Sequence, residues 1–325
     1  MHRKLFSRCA LPMLMALTSL GSSAADADDY PSRPITVLYP TAPGGTGDTI
    51  TRYVMDRVSK ILGQPVVIEN KAGGNLTIAG RALLAAKPDG YTLLSTINGQ
   101  ITAKALMELP YDPLKDFTPV GKMVTGYFFL AVNAKLPVNN FREFVEYAKT
   151  HQVSHGAWAP SSLGNVFAET VNMKLGTRIV TAMYRGEGQI VTDMIGGTLD
   201  ACFCTVQATL QHAKAGKLKV IGYTGPSRSP LFPDVQTFAE QGYVGAPYDY
   251  GAWVGVLASA KTPPERIKKF AAAMQTVMKQ TDVIEYAQAG HMTVEYQGPA
   301  QFQNDLTRSY GAWETAVRAA NIQLK

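Results

Sequence analysis

The chain has 325 residues, of which 46% are hydrophobic and 17% are charged, and this length allows two domains that each bury a core. Its formal charge of +6 includes Arg3, Lys4 and Arg8 near the start, so the remainder carries only +3. The basic residues are scattered, which argues against the concentrated positive surface of a nucleic-acid-binding protein.

The first 25 residues have the order of a secretory signal peptide. A basic head precedes an apolar run from Cys9 to Leu20, and small residues at 22–25 offer a cleavage site before an acidic segment. The apolar run is too short to span a bilayer, and no later stretch reaches about 18 consecutive apolar residues. We therefore expect residues 1–25 to be removed and the mature protein to be exported and soluble.

A strand, a glycine turn and a helix then follow in close succession. Ile35 to Tyr39 is a short apolar run, Pro43 and Gly44-Gly45 break it, and apolar residues recur at helical spacing from Ile50 to Leu62. The first turn of a helix has free N–H groups at its positive end, and glycine allows a ligand to approach them, so this junction favours an anion. The alternative is a tight turn that binds nothing.

This junction does not match the two common nucleotide-binding motifs. A P-loop needs Gly-Lys-Ser/Thr at the helix start, where this chain has Thr46-Gly47-Asp48. A dinucleotide fingerprint needs a third glycine at the position of Ile50. The sequence therefore predicts an anion smaller than a nucleotide.

Strands and helices keep alternating after this unit. Val66 to Ile68, a helix after Gly73-Gly74 and Tyr91 to Leu94 complete a β-α-β-α-β order, which predicts a mainly parallel sheet. The loop from Thr96 to Gly99 follows the last of these strands. Open α/β sheets bind ligands at the carboxyl ends of their strands, so we expect Asn98 in this loop to contact a ligand.

The same order restarts in the second half of the chain, again with small or hydroxyl residues at helix starts. We expect two lobes that place their anion-binding loops face to face: residues 26–127 together with 252–325, and residues 128–251. Crossing strands near Tyr127 and Gly251 would join the lobes.

The cysteines and histidines do not form a recognisable reactive centre. Cys202 and Cys204 share one face of a predicted strand, at a separation near the upper limit for an undistorted disulfide, and we expect them to pack or to line a cavity. The four histidines beyond the signal peptide are isolated, which favours surface or capping positions, and no nucleophile or zinc-protease motif is present. We therefore expect no catalytic residue, no metal and no cofactor.

Several longer segments stand in a characteristic order: YPSRPITVLYP with APGGTGD, LGQPVVIENKAGG, KPDGYTLL, LPYDPLKDFTPVG, GGTLDACF, HAKAGKLKVIGYTGPSRSPLFPDVQTFAEQGY and TPPERI. They resemble the successive signatures of the Bug (TctC-like) family, the extracytoplasmic solute-binding proteins of tripartite tricarboxylate transporters. The similarity covers nearly the whole mature chain. Its most specific parts are the turn at Pro43 to Asp48 and the block at Leu109 to Pro113.

The resemblance implies an α/β fold of the type II periplasmic-binding-protein (Venus flytrap) class, with two lobes that are each a mostly parallel sheet flanked by helices. Such a protein is periplasmic, closes on a small carboxylate and delivers it to the membrane subunits of the transporter. We expect a monomer that binds no nucleic acid. Carried over by position, the residues around the ligand are Pro43, Gly44, Gly45, Asp48, Ser161, Ser162, Tyr184, Arg185, Gly186, Cys204 and Thr205.

Three positions depart from the family pattern. Thr41 stands where an aromatic residue is common, a segment with Trp158 replaces a Gly/Ser-rich loop, and Cys204 replaces a frequent aspartate. An aspartate could pair with a ligand ammonium group, whereas a thiol is a weak donor with an apolar surface, and Trp158 and Tyr184 would add flat apolar walls. We therefore hypothesise a preference for a carboxylate without an amino group, either aromatic or a short dicarboxylate.

Two other functions are compatible with the same features. An exported sensor would present its bound carboxylate to a membrane receptor through the same site. An exported α/β hydrolase or transferase would use Cys204 or Ser161 as the nucleophile and His155 as the base.

Overall fold

Two β-sheets flanked by helices make up the protein in this computed structural model, which describes residues 29–160 and 162–319. By internal contacts the chain divides into residues 1–30 and residues 31–325, and the fold below belongs to the second unit. The signal peptide predicted at residues 1–25 lies outside the described residues.

Six strands form the first sheet: β1 (Ile35–Tyr39), β2 (Val66–Asn70), β3 (Thr92–Ile97), β4 (Phe117–Gly126), β10 (Ala252–Ser259) and β11 (Met292–Gln297). Their order across the sheet is β11-β4-β10-β3-β1-β2. The pairs β1–β2 and β1–β3 are parallel, as the sequence predicts, whereas β10 pairs antiparallel with β3 and β4, and β11 pairs antiparallel with β4.

Five strands form the second sheet: β5 (Phe128–Asn133), β6 (Val153–Ala157), β7 (Ile179–Met183), β8 (Ala201–Thr205) and β9 (Leu218–Tyr223). Their order is β7-β6-β8-β5-β9. The pairs of β6 with β7 and β8 are parallel, and the pairs of β5 with β8 and β9 are antiparallel. Each sheet therefore combines a parallel part with antiparallel strands.

Helices connect or cover the strands of both sheets. They are α1 (Thr46–Leu62), a 3-10 turn (Gly74–Leu76), α2 (Thr77–Ala85), α3 (Gly99–Leu106), α4 (Phe141–Thr150), α5 (Leu163–Leu175), α6 (Glu187–Gly196), α7 (Val206–Lys214), α8 (Pro264–Val277), α9 (Thr281–Ala289) and α10 (Pro299–Ala319). None of the helices in the described part of the chain combines the length and the apolar character needed to cross a membrane.

The predicted strand–turn–helix unit at the start of the first sheet forms as the sequence indicates. Ile50, Val54 and Val58 recur on one face of α1 and are fully buried, because three- and four-residue spacing brings them to the same side. The helix stops at Gly63, whose φ of 69° lies in the left-handed region that glycine adopts at little cost. β1 itself is almost entirely buried, as expected for a central parallel strand.

The chain crosses between the two sheets twice, once before β5 and once before β10. β4 of the first sheet ends at Gly126 and β5 of the second begins at Phe128, so Tyr127 lies at the first crossing. The chain returns at β10, which begins directly after Gly251. In addition, Trp313 of α10 is buried in the same apolar cluster as Phe141 and Phe167 of the second sheet's helices.

Candidate functional site

One cavity of about 540 Å³ is lined by residues from both sheets and their helices. The starts of five helices contribute to its lining: Gly45 and Thr46 at α1, Asn98 and Gly99 at α3, Ser162 and Leu163 at α5, Gly186 and Glu187 at α6, and Thr205 and Val206 at α7. These helices follow β1, β3, β6, β7 and β8, so the cavity lies at the carboxyl ends of strands. Because the N-terminal end of a helix is positive and carries free N–H groups, the cavity is suited to an anion.

The turn before α1 is held in shape by a buried carboxylate. Asp48 accepts hydrogen bonds from the N–H of Gly44 at 2.9 Å, from Nε of Arg52 at 3.0 Å and from Nδ2 of Asn70 at 2.9 Å. Burial alone would raise the pKa of Asp48, but these hydrogen bonds outweigh it and leave the pKa below its usual value. The charged carboxylate of Asp48 therefore stabilises the turn, in which Gly44 adopts a left-handed conformation with a φ of +90°.

The same turn leaves donors unused. The N–H groups of Gly45, Thr46 and Gly47 have no hydrogen-bond acceptor among the residues that the structure describes. Asn98 is only 5% exposed and lines the cavity, and its side-chain amide makes no hydrogen bond to any described residue. Buried polar groups are nearly always paired, so the unpaired side chain of Asn98 has the character of a site that binds a ligand, and the more exposed N–H groups of the turn offer further donors beside it.

The second sheet contributes a different set of polar groups. Ser162 caps α5, because its Oγ accepts the N–H of Asn165. Arg185 lines the cavity and is exposed, and within the described residues its guanidinium has no ion pair. This side chain is a cation on a wall that otherwise includes apolar groups such as Phe128 and Trp158.

Glu187, the first residue of α6, is a carboxylate in the lining of the cavity. Its Oε1 accepts the N–H of Thr205 at 2.9 Å and its Oε2 accepts the Thr205 hydroxyl at 2.5 Å. Burial raises the pKa of Glu187, while the two hydrogen bonds from Thr205 act in the opposite direction.

Ten of the predicted site residues line the cavity: Thr41, Pro43, Gly44, Gly45, Asn98, Trp158, Ser162, Arg185, Gly186 and Thr205. Asp48 does not line the cavity but holds the turn through its hydrogen bond from the N–H of Gly44. Tyr184 is also absent from the lining, and its hydroxyl donates to Oδ2 of Asp193 at 2.8 Å. Cys204 is also absent from the lining. Ser161 lies outside the described residues.

Among the carboxylate and histidine residues of the lining, the sequence analysis missed three: Glu187, His212 and His291. Glu187 carries a recognisable signal, because it directly follows Gly186 at a helix start in a loop that was already predicted to face the cleft. His212 lies near the end of α7, and His291 has a φ of 56°, which is uncommon outside glycine. Neither histidine is marked by a local sequence pattern.

The hypothesis of a free thiol at Cys204 is wrong. Cys202 and Cys204 form a disulfide, with their Cα atoms 5.5 Å apart, because the local strand geometry brings the two residues closer than an ideal extended strand would. Both are buried under α6 and α7 among residues such as Ile190 and Met194. The hypothesis of a ligand without an amino group rested on a free thiol at the cleft wall together with apolar walls at Trp158 and Tyr184, and it loses the first of these supports.

The alternative of a hydrolase that uses Cys204 as the nucleophile and His155 as the base is also contradicted. His155 is fully buried in β6, and its Nε2 accepts the N–H of Phe203 at 3.1 Å. Burial lowers its pKa to about 3. His155 is therefore a neutral core residue rather than the capping or surface histidine that the sequence suggested. Among the described residues, no group of three or more His, Cys, Asp or Glu side chains could hold a metal ion.

Comparison with known proteins agrees with this architecture. Residues 50–319 match the tripartite tricarboxylate transporter family receptor, TctC. The chain belongs to the TctC family. It is 38% identical over 231 residues to a UPF0065 protein of Bordetella bronchiseptica, and the match covers 70% of this chain and 68% of that protein.

Two solved structures of the family share the fold. The periplasmic binding protein BugD is 27% identical, with a TM-score of 0.82 over 91% of this chain and 100% of BugD. MatC from Rhodopseudomonas palustris with bound malate is 28% identical, with a TM-score of 0.80 over 89% of this chain and 100% of MatC. The predicted periplasmic-binding-protein fold is confirmed, and TctC-family members are periplasmic solute-binding proteins rather than enzymes.

Proposed function

We propose that this protein is an extracytoplasmic solute-binding protein that captures a small carboxylate between two closing lobes and delivers it to the membrane subunits of a tripartite tricarboxylate transporter. The convergence of five helix N-termini on one cavity carries this proposal. Free N–H groups at Gly45, Thr46 and Gly47 supply donors for carboxylate oxygens, and the positive ends of the helices favour the negative charge.

The size and lining of the cavity support a small organic acid. A volume of about 540 Å³ lies within the usual range of small-molecule sites, and apolar residues including Phe128, Trp158 and Val254 would cover the carbon skeleton. MatC, a structural relative, holds malate, which is a short dicarboxylate.

Binding is tested by a thermal-shift panel on the mature protein after denaturation and refolding, which removes copurifying ligand. The panel contains succinate, malate, adipate, citrate, aspartate, glutamate, nicotinate, benzoate and terephthalate. A ligand that binds only the folded state raises its stability by RT ln(1 + [L]/Kd), so an acid at about 100 times its Kd adds about 2.7 kcal/mol. Succinamide, which has the shape of succinate without its charges, is the control and should give no shift. Absence of a shift with every acid would contradict the proposal.

Delivery is tested separately by uptake of the best-bound acid, carrying a radioactive label, into cells that contain the membrane subunits. We expect uptake to require this protein. Tight binding without protein-dependent uptake would contradict delivery and favour the exported sensor.

A further inference from the structure

The helix N-termini around the cavity are not equivalent. At α1 the N–H groups of Gly45, Thr46 and Gly47 have no acceptor within the described part of the chain. At α7, by contrast, both the N–H and the hydroxyl of Thr205 are engaged by the carboxylate of Glu187. The N–H groups of Val206 and Gln207 at α7 also have no acceptor among the described residues, so both ends of the cavity have open donors, but only the α6–α7 end also contains a carboxylate that belongs to the protein.

Burial raises the pKa of Glu187, and two features of that end oppose the rise by favouring the charged form of its carboxyl group. It is the first residue of α6 and accepts two hydrogen bonds at the start of α7, so the positive ends of two helices lie beside its carboxylate. No lysine or arginine side chain forms an ion pair with it among the described residues. When Glu187 is ionised, its charge is therefore stabilised by helix ends, and Arg185, which also lines the cavity, makes no ion pair with it.

The carboxylate of Glu187 also has unused acceptor capacity. Two carboxylate oxygens offer about four acceptor positions, and Thr205 occupies one on each oxygen. Glu187 lines the cavity, so the remaining positions are open to a ligand. A group that donates a hydrogen bond or carries a positive charge would be attracted there, whereas a second carboxylate would be repelled.

We infer that Glu187 determines specificity by reserving the α6–α7 end of the cavity for a hydrogen-bond donor or an ammonium group, while the ligand carboxylate binds at the open donors of α1 and α3. This inference rests on the proposed function and names its ligand class: small carboxylates that carry an amino group, and to a lesser degree those with a hydroxyl group. It replaces the earlier hypothesis of an acid without an amino group.

The test compares acids that differ only in an amino group. Dissociation constants are measured by calorimetry for aspartate against succinate and for glutamate against glutarate, with malate as the hydroxyl member of the four-carbon set. In the wild-type protein we expect the amino member of the better-bound pair to bind at least tenfold more tightly. Glu187→Gln should reduce that preference at least tenfold, because the amide keeps the shape and can still bond to Thr205 but has no charge.

Glu169→Gln is the matched control. Glu169 is a second half-buried carboxylate whose pKa burial raises, but it does not line the cavity, so its loss should leave the preference unchanged. Equal or tighter binding of succinate and glutarate by the wild type, or an unchanged preference in a folded Glu187→Gln protein, would overturn the inference while leaving the proposed function intact. If none of these five acids binds the wild type but another acid of the thermal-shift panel does, the inference fails and the proposed function stands; if no acid of the panel binds, both fail.

Discussion

Replacing Gly45 with valine places a branched side chain at the cavity end of α1 without disturbing the fold. Gly45 has a φ of −71° and a ψ of 162°, an extended conformation that valine favours. A Cβ atom built there meets no atom within 4 Å. Gly44 is a poorer choice because its φ of +90° strains any other residue, and at Gly47 a Cβ would collide with the hydroxyl of Tyr39.

The expected loss of affinity follows from the donors at this turn. Gly45 carries one of the N–H groups without an acceptor, and Thr46 and Gly47 carry the next two. A hydrogen bond to a charged group contributes about 1.5–3 kcal/mol, so keeping the carboxylate from a single one weakens binding by about 10- to 150-fold. Loss of two such bonds would abolish measurable binding for a ligand of ordinary affinity.

Calorimetry with the acid that gives the largest thermal shift measures this effect. Gly196→Val serves as the control, since Gly196 ends α6, does not line the cavity and also has free space around a built Cβ. We expect the control to keep the wild-type dissociation constant. A Gly45→Val protein that is folded by circular dichroism and binds with unchanged affinity would refute the assignment of the carboxylate to this turn.

Closure of the two lobes predicts a smaller radius of gyration in small-angle scattering when the best-bound acid is saturating, and an identical radius would indicate a rigid cleft. Asp48→Ala removes the acceptor of the Gly44 N–H and should lower the free energy of unfolding, measured by urea denaturation, by about 1–3 kcal/mol. Asp56→Ala, which removes an exposed ion pair on the same helix, is the control and should change it by less than about 1 kcal/mol. Because burial lowers the pKa of His155 from 6.5 to about 3, the unfolded chain takes up its proton first and stability falls as pH drops through this window. By pH 5 the free energy of unfolding should have fallen by about 2 kcal/mol. His155→Gln should remove this pH dependence, whereas His151→Gln, at an exposed position, should keep it. Equal dependence of the free energy of unfolding on pH in the two variants would contradict this role of His155.

The sequence by itself determined the features that depend on neighbouring residues. The period of apolar residues in α1, the break at Gly44-Gly45 and the stop at Gly63 each act within a few positions, so the first strand–turn–helix unit could be predicted. The β-α-β order likewise predicted the parallel pairs of β1 with β2 and β3. Repetition of this order placed most of the predicted loops around one cavity.

The tertiary structure alone decided which distant residues meet. Pro119 lies in β4, and a proline argues against predicting a central strand from the sequence. β4 nevertheless pairs with β10, and the register of this pair shifts beside Pro119, where the missing N–H is tolerated. Similarly, the N–H of Phe203 reaches His155 across 48 positions and turns an isolated histidine into a buried acceptor. The carboxylate of Glu187 meets Thr205 only because β7 and β8 both flank β6 and the helices after them begin at the same cavity. Such pairings follow from the packing of whole elements, which local residue patterns do not specify.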